Sequence, residues 1–385
     1  RIAPKFKASD NVSANLRFDF AEGMWGQDQD FNASRANADT TGWYSDIQVD
    51  RAYVDVNMEW VRVRAGLQFV PVGQTQVFRD NQPALQFDIK TGTPFTSRLA
   101  WIKASEGIGV STDPPPVRWG RLSDETDENK DQDRYLVTLE WNTDTFMANV
   151  FGVMQTDGST NGVDNFEDEP YVVGFRLRRL SLGNFSIHGE IAQFGGDNGN
   201  NVDYTGTQAN VNGMWNLSDS LKLGLDLIYS TARDDDEIKR TSIGNPFAAY
   251  DVRFGGTFGW DTETYGRANG ILFTSVTPPG PLPGDVFDPY NQGTGAIGAG
   301  LGSMWTPMER LNLIGQFHYL TADDDELEGV TGEFEDGYNL LLAGIYQLAP
   351  KTTLHAIYQR VDASFADDID PDASNVYCLW MRVRF

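Results

Sequence analysis

The chain has 385 residues, a net charge of −25, 12% aromatic residues and 39 glycines, but only one cysteine and three histidines. The acidic balance argues against nucleic-acid binding, which needs basic patches, and one cysteine excludes an intramolecular disulfide framework. No apolar run approaches the roughly 20 residues that a membrane helix needs, so any passage through a membrane must use strands.

The first predicted elements are a short strand over residues 1–8, a tight turn and a full strand over residues 13–25. We expect the short strand to complete the last strand of the chain, residues 375–385, and so to close a barrel. An open sheet edge in lipid would leave unpaired N–H and C=O groups, each costing several kcal/mol.

Strict alternation of apolar and polar residues defines the strands that follow. Every second residue from Val61 to Phe69 is apolar, and Arg62 and Arg64 fall on the other face. This period of two is typical of a strand and not of a helix. The same pattern recurs at 171–178, 221–229 and 311–319, and its apolar faces end in aromatic residues, as in a lipid-facing band.

Short turns alternate with long acidic connections along the whole chain. This rhythm predicts an all-β fold, a single transmembrane antiparallel β-barrel over residues 1–385, with short periplasmic turns, long extracellular loops and about 16 strands. Residues 232–293 leave the strand number open, because two stretches within them, 250–260 and 267–276, also alternate. A hairpin there that spans the membrane raises the number to 18, and one that folds over the mouth leaves 16.

Many of the basic residues fall on the polar faces of the predicted strands. A row of arginines facing lipid would be costly, so we expect these residues to line a wet passage. The alternative is that they only pair with inward acids, namely Asp19, Asp55, Asp88, Glu140 and Glu190. The predicted pore-lining residues are Arg17, Arg51, Arg62, Arg64, Lys90, Arg98, Arg134, Arg176 and Arg178.

The connection over residues 106–132 is the predicted constriction loop. It follows the fifth full strand, where general porins fold a loop into the lumen, and three consecutive prolines stiffen it. We expect it to lie inside the barrel opposite the arginines, so that acid and base face each other across the passage; the alternative is a surface loop. Its charged residues are Asp113, Arg118, Arg121, Asp124, Glu125, Asp127 and Glu128.

Acidic runs in the long connections suggest cation binding. Asp323, Asp324 and Asp325, like the run 234–237, could hold Ca²⁺ weakly through carboxylate oxygens, but they lack the spacing of an EF-hand. The alternative is solvated acid that divalent ions bridge to lipopolysaccharide. No other cofactor is predicted. The match of residues 293–298 to a dinucleotide-binding glycine motif is rejected, because a glycine-rich strand and not a helix follows it.

The last predicted strand has one apolar face, and its pattern resembles the signal by which outer-membrane barrels are recognised by the barrel-assembly machinery. The residues of this face are Tyr377, Leu379, Met381, Val383 and Phe385.

The first hundred residues resemble the outer-membrane homotrimeric porins of sulphate-reducing bacteria and their relatives. Residues 5–18, 22–26, 51–55 and 63–68 carry the resemblance, with 317–319 and the closing strand, whereas 105–300 matches only in pattern. The resemblance implies a homotrimer in the outer membrane of a Gram-negative bacterium, in contact with lipid and lipopolysaccharide. It also implies a channel for passive diffusion of small polar solutes and ions.

Three other functions are alternatives to a porin. A substrate-specific or export channel, resembling the alginate-export porins, is the main alternative. An enzyme inside the barrel is not expected, because no nucleophile motif accompanies His188, Glu190 or Asp226. A structural barrel with a plugged lumen is the third, and conductance would distinguish it.

Overall fold

The computed structural model describes residues 2–20, 47–72, 78–105, 132–157, 169–197, 203–231, 237–239, 295–323, 334–365 and 373–383. These residues form eighteen β-strands in one sheet. Sixteen of the strands have nine or more residues, and the other two have three each. Within the same residues, the structure contains no helix with the length and apolar character to cross a membrane.

The first nine strands are β1 Lys5–Lys7, β2 Val12–Phe20, β3 Ile47–Asn57, β4 Val61–Val72, β5 Phe78–Lys90, β6 Phe95–Ser105, β7 Gln132–Asn142, β8 Phe146–Asp157 and β9 Glu169–Leu182. The other nine are β10 Phe185–Asp197, β11 Asp203–Ser218, β12 Leu221–Ser230, β13 Glu237–Lys239, β14 Ala296–Met308, β15 Leu311–Thr321, β16 Phe334–Ala349, β17 Thr352–Phe365 and β18 Ser374–Val383.

Antiparallel pairing runs from each strand to the next along the chain, with one exception at β13. This short strand pairs in parallel with β11, and β12 pairs directly with β14 from Leu221 opposite Trp305 to Ser230 opposite Ala296. Because β12 and β14 are neighbours over ten residues, the wall has no room for a membrane-spanning hairpin between them. The sixteen long strands therefore agree with the smaller of the two predicted numbers.

The outer face of the wall is apolar and exposed. Aromatic residues mark its two ends: Trp141, Trp215 and Trp305 lie near short turns, whereas Tyr171 and Tyr229 lie near the long connections. A continuous exposed apolar band between two aromatic girdles is the surface that a membrane-spanning barrel presents to lipid. The predicted alternation of β9, β12 and β15 is confirmed by this arrangement, whereas Val61, which the prediction puts on the outer face of β4, is only 6% exposed.

The described strands show no pairing between the first and the last strand of the sheet. β1 pairs with β2, and Ile2 bridges to Phe18, but no register between described residues joins β1 to β18. Closure of residues 1–8 against 375–385 therefore stays a prediction. Tyr377, Leu379 and Met381 of β18 are exposed on the outer face, and Phe385 lies outside the described residues.

Glycine is required at position 66, because the backbones of β4 and β3 approach each other closely there. It has a φ of 122°, and a Cβ at this position would lie 2.4 Å from the carbonyl oxygen of Ala52 on β3. Gly152 on β8 provides a contrast, because a Cβ there would meet no atom closer than 3.9 Å.

We expect Gly66→Ala to lower the free energy of unfolding by about 2 kcal/mol or more, because the variant combines an unfavourable φ with a backbone clash. Gly152→Ala should change it by less than about 1 kcal/mol. Denaturant unfolding of the refolded protein in lipid vesicles would measure both values. Equal midpoints for the two variants would contradict the assigned role of Gly66.

Candidate functional site on the inner wall

The inner face of the barrel carries polar side chains in positions where the outer face is apolar. On β4 and β5, Gln68, Gln82 and Gln86 are almost completely buried, and the same is true of Gln155 on β8 and Gln208 on β11. Alternation places these residues opposite the lipid-facing side, so the wall is amphipathic at these positions. A polar interior within an apolar exterior is the arrangement of a water-filled barrel.

Asp55 on β3 is the centre of the first group of charged residues. Arg62 donates two hydrogen bonds to its carboxylate, each of 3.0 Å, and Arg64 donates one of 2.9 Å. The strand register produces this contact, because Arg64 lies directly opposite Asp55. The ring of Tyr53 lies under the Arg64 guanidinium, 4.5 Å from its central carbon.

Asp88 on β5 extends the group across the sheet. Arg98 Nε donates to Asp88 at 2.7 Å, and Gln86 donates to both carboxylate oxygens. Arg62 lies 4.0 Å from the same carboxylate. The group, which we name the Asp55–Asp88 cluster, thus has three guanidiniums for two carboxylates and carries a net positive charge.

A second set of basic residues lies on β7 to β9. Arg178 pairs with Glu140 at 2.8 Å, and Arg134 donates to Gln155 Oε1 at 2.8 Å. Arg176 lies opposite Glu190 in the register of β9 with β10. Arg134 is therefore held by a residue of the adjacent strand β8, and Arg178 reaches across β8 to a residue of β7.

The remaining predicted basic residues differ from these. Arg17 forms an ion pair with Asp50, which is the extra residue of a bulge between β2 and β3. The guanidinium of Arg51 lies 4.9 Å from the centroid of the Phe69 ring and 3.6 Å from Asp50. The bulge interrupts the alternation, so the face of Arg51 does not follow from parity. Lys90 is exposed and forms no ion pair with a described residue.

Both interpretations of the basic residues therefore have a geometric basis. Asp55, Asp88 and Glu140 accept from inward arginines, as the pairing alternative expects, and the Asp55–Asp88 cluster still has an excess of positive charge. The side chain of Asp19 lies outside the described residues. A role of these residues in lining a pore stays a prediction.

The other predicted site residues cannot be placed. The constriction loop, with its acids and arginines from Asp113 to Glu128, lies outside the described residues, as do Asp324 and Asp325. Asp323 is described and exposed. Among the residues that the structure describes, no group of three or more His, Cys, Asp or Glu side chains is arranged to hold a metal ion. The Ca²⁺ prediction stays untested.

A buried polar group on β11, β12 and β15 was not predicted. Asp226 on β12 accepts a hydrogen bond from Asn212 at 2.6 Å, and His318 Nε2 lies 3.1 Å from its other oxygen. Asp226 and His318 are each only 2% exposed. Gly300 on β14 makes the contact between β12 and β15 feasible, because a Cβ there would overlap the His318 ring.

An apolar area of the inner face was also missed. Alternation places these side chains on the lumen side, and all of them are nearly inaccessible. The sequence signal for an apolar inner face was the presence of adjacent apolar pairs such as Trp101–Ile102 and Val172–Val173, because such pairs make both faces of a strand apolar. We name this area the apolar inner patch; its main residues are Val70, Val72, Ile102, Leu136, Phe151, Val153, Val172 and Phe194.

No protein-family model and no curated protein matches the chain. Among solved structures, it is similar to the outer membrane protein OprD from Pseudomonas aeruginosa, with a TM-score of 0.51 and 11% identity over 96% of this chain and 82% of that one. It is also similar to OccK2 (OpdF) from the same organism, in complex with glucuronate, with a TM-score of 0.49 and 10% identity over 97% and 86%.

The similarity to OprD, at this identity, shows the fold and nothing more. The fold is that of the outer-membrane β-barrels of Gram-negative bacteria, and the exposed apolar band agrees with this assignment. This comparison does not support the narrower resemblance to porins of sulphate-reducing bacteria.

We expect Asp55→Asn to destabilise the barrel by about 1–3 kcal/mol, because the change removes charged hydrogen bonds to two arginines. Asp144→Asn is the matched control, since Asp144 is exposed in the turn between β7 and β8. Denaturant unfolding in vesicles would compare the two. A control variant that loses as much stability as Asp55→Asn would show that the cluster contributes nothing specific.

Proposed function

We propose that the chain is an outer-membrane porin, a water-filled channel for passive diffusion of small hydrophilic solutes and ions. One observation carries the proposal: a wall that is apolar and exposed outside carries many polar and charged side chains inside, next to the apolar inner patch. A barrel of sixteen long strands leaves room for an aqueous passage, whereas one of eight is filled by its own side chains. The proposal includes no catalytic step.

The charges on the inner wall support selection by electrostatics. Ion selectivity in channels follows from rings of charged side chains and the width of the passage. The Asp55–Asp88 cluster, with Arg134, Arg176 and Arg178, supplies fixed positive charge on β4 to β9. We infer that this wall attracts anionic groups of passing solutes.

The apolar inner patch supports a constriction by residues 106–132. Ile102 is not exposed at all and Leu136 only 2%, yet the described strands form one sheet and provide no second layer over them. Water against such a surface would cost roughly 25 cal/mol per Å². The 106–131 segment leaves β6 and enters β7 beside these two residues, and it contains Ile108, Val110, Val117, Trp119 and Leu122. We infer that these apolar residues pack on the patch and that the acids of the segment face the passage.

The assembly proposed for the chain follows the sequence resemblance. Homotrimeric porins of sulphate-reducing bacteria are the narrower group that residues 5–18 and 63–68 indicate. Insertion through the barrel-assembly machinery would use the apolar face of β18. Weak Ca²⁺ binding at Asp323, Asp324 and Asp325 remains part of the proposal.

Deleting residues 112–128 should raise single-channel conductance in planar bilayers, because the segment that narrows the passage is removed. The conductance should be proportional to the salt concentration of the bulk solution both before and after the deletion. An unchanged conductance would contradict the constriction, and a wild-type protein without conductance would contradict the porin. Current block that saturates with one solute would instead favour a substrate-specific channel.

A labelling experiment tests the position of the loop separately. In a Cys378→Ser background, we expect a cysteine replacing Leu136 to be protected from a water-soluble maleimide. The same substitution in the 112–128 deletion should react at least about tenfold faster, because the patch is then open to water. A cysteine replacing the exposed Lys90 is the control and should react in both proteins. Rapid labelling of position 136 in the full chain would refute the packing of the loop on the patch.

A further inference from the structure

The inner face of β11 and β12 is polar and yet buried. Gln208 and Asn210 are each 4% exposed, Asn212 is 6% exposed, and Ser230 is not exposed at all. We name these four residues the polar inner surface. Ser230 lies opposite Ala296 in the register, and its buried hydroxyl has no hydrogen-bond partner among the described residues. Because buried polar groups are nearly always hydrogen-bonded, this surface needs a second layer, which the single described sheet does not provide.

The neighbouring strand β14 contributes little side-chain volume here. Alternation puts Gly298 and Gly300 on its inner face, and both are buried. The ring of His318 fills the space over Gly300, and Leu320, opposite Gly298, is not exposed at all. The layer over Ser230 is therefore not made by side chains of β14.

The chain leaves the wall beside the polar inner surface. β13 runs parallel to β11 and ends at Lys239, opposite Thr205. Since β11 runs from a long connection towards a short turn, β13 points into the barrel. Two residues further along β11, the carbonyl of Thr207 already accepts a hydrogen bond from Thr231 at the end of β12. The edge of β11 is occupied from that point, so the chain after Lys239 cannot continue within the wall.

The chain also rejoins the wall beside this surface. β14 begins at Ala296, directly opposite Ser230. The preceding Gly295 is buried and has a φ of 63°, which an extended strand does not allow, so the chain bends sharply as it enters β14. Residues 240–294 therefore begin and end next to the polar inner surface.

The composition of residues 240–294 differs from that of the acidic connections. Residues 322–333 contain six acids and no aromatic residue, as suits a solvated loop, whereas residues 240–294 contain nine aromatic residues, five acids and three arginines. Exposing the aromatic side chains to water would cost roughly 25 cal/mol per Å². Exposing the arginines to lipid would cost about 2–4 kcal/mol each at the midplane. The lumen side of the wall avoids both costs.

We propose that residues 240–294 fold into the barrel and pack on the polar inner surface as a second layer inside the wall. The segment contains nine glycines and six prolines, so much of its backbone is irregular and needs hydrogen-bond partners. Side-chain amides both donate and accept, and a hydroxyl does the same, which suits the polar inner surface to this backbone. Irregular backbone at membrane depth occurs only where protein buries it or where it lines a cavity.

The inference depends on the membrane-spanning barrel and not on what passes through it. A barrel without conductance would contradict the porin and leave this packing intact. Conversely, a conducting barrel in which residues 240–294 lie over the mouth would contradict the packing alone. The two proposals can therefore fail separately.

Cysteine labelling in a Cys378→Ser background tests the packing. We expect Ser230→Cys to be protected from a water-soluble maleimide in the full chain. It should react at least about tenfold faster when a short glycine–serine linker replaces residues 242–292, because the surface is then open to water. Leu136→Cys is the matched control and should react equally slowly in both proteins, since it lies on the apolar inner patch. Lys90→Cys should react rapidly in both.

Trypsin digestion of the full chain, refolded in detergent micelles, gives a second test that does not require the linker variant to fold. Cleavage after Arg253 and Arg267 should be at least about tenfold slower than cleavage at the site that Asn200→Lys introduces into the 198–202 connection. After heat unfolding, all three sites should be cut.

Three outcomes would overturn the proposal. Rapid cleavage after Arg253 or Arg267 in the folded protein would place the segment outside the lumen. Rapid labelling of Ser230→Cys in the full chain would show that the polar inner surface is open to water. Unchanged protection of Ser230→Cys in a folded linker variant would show that neighbouring wall residues alone bury it.

Discussion

The structure depends on one constraint: a backbone inside lipid must satisfy its N–H and C=O groups within the sheet. Pairing that continues from β1 to β18, with β12 joined directly to β14, meets this requirement across the described wall. The period of two then assigns each side chain either to lipid or to the lumen. The amphipathic wall, and with it the proposed passage, follows from the hydrogen bonding of the main chain.

Within that wall, the inner arginines are part of the framework as well as carriers of charge. Asp55 holds Arg62 and Arg64, and Arg62 reaches towards Asp88, so three strands are linked by side chains in addition to their ladders. In the proposed channel, charges fixed in this way would not reorient as a solute passes. The same residues would then contribute both to the stability of the wall and to the proposed selectivity.

The strands could be predicted from the sequence wherever one face is apolar and the other polar, as in β4 and β12. Inward residues could not be recognised where both faces are apolar, because Ile102 and Val172 are direct chain neighbours of the outward residues Trp101 and Val173 and have the same polarity. The contact of Asp226 with His318 was out of reach for another reason. Ninety-two residues separate them, and only the direct pairing of β12 with β14 brings them together. At Arg51, the face of the side chain could not be predicted from alternation, because the adjacent residue Asp50 is bulged.

The packing of Gly300 and His318 restricts which residues can occupy the two positions together. The imidazole occupies the volume that any side chain at position 300 would need, and the same ring reaches Asp226 across that strand. Neither residue can therefore change freely while the other is kept. Across related sequences, the two positions should covary: a larger residue at 300 should occur only where 318 is small, and the acid at 226 should then keep Asn212 as its hydrogen-bond donor.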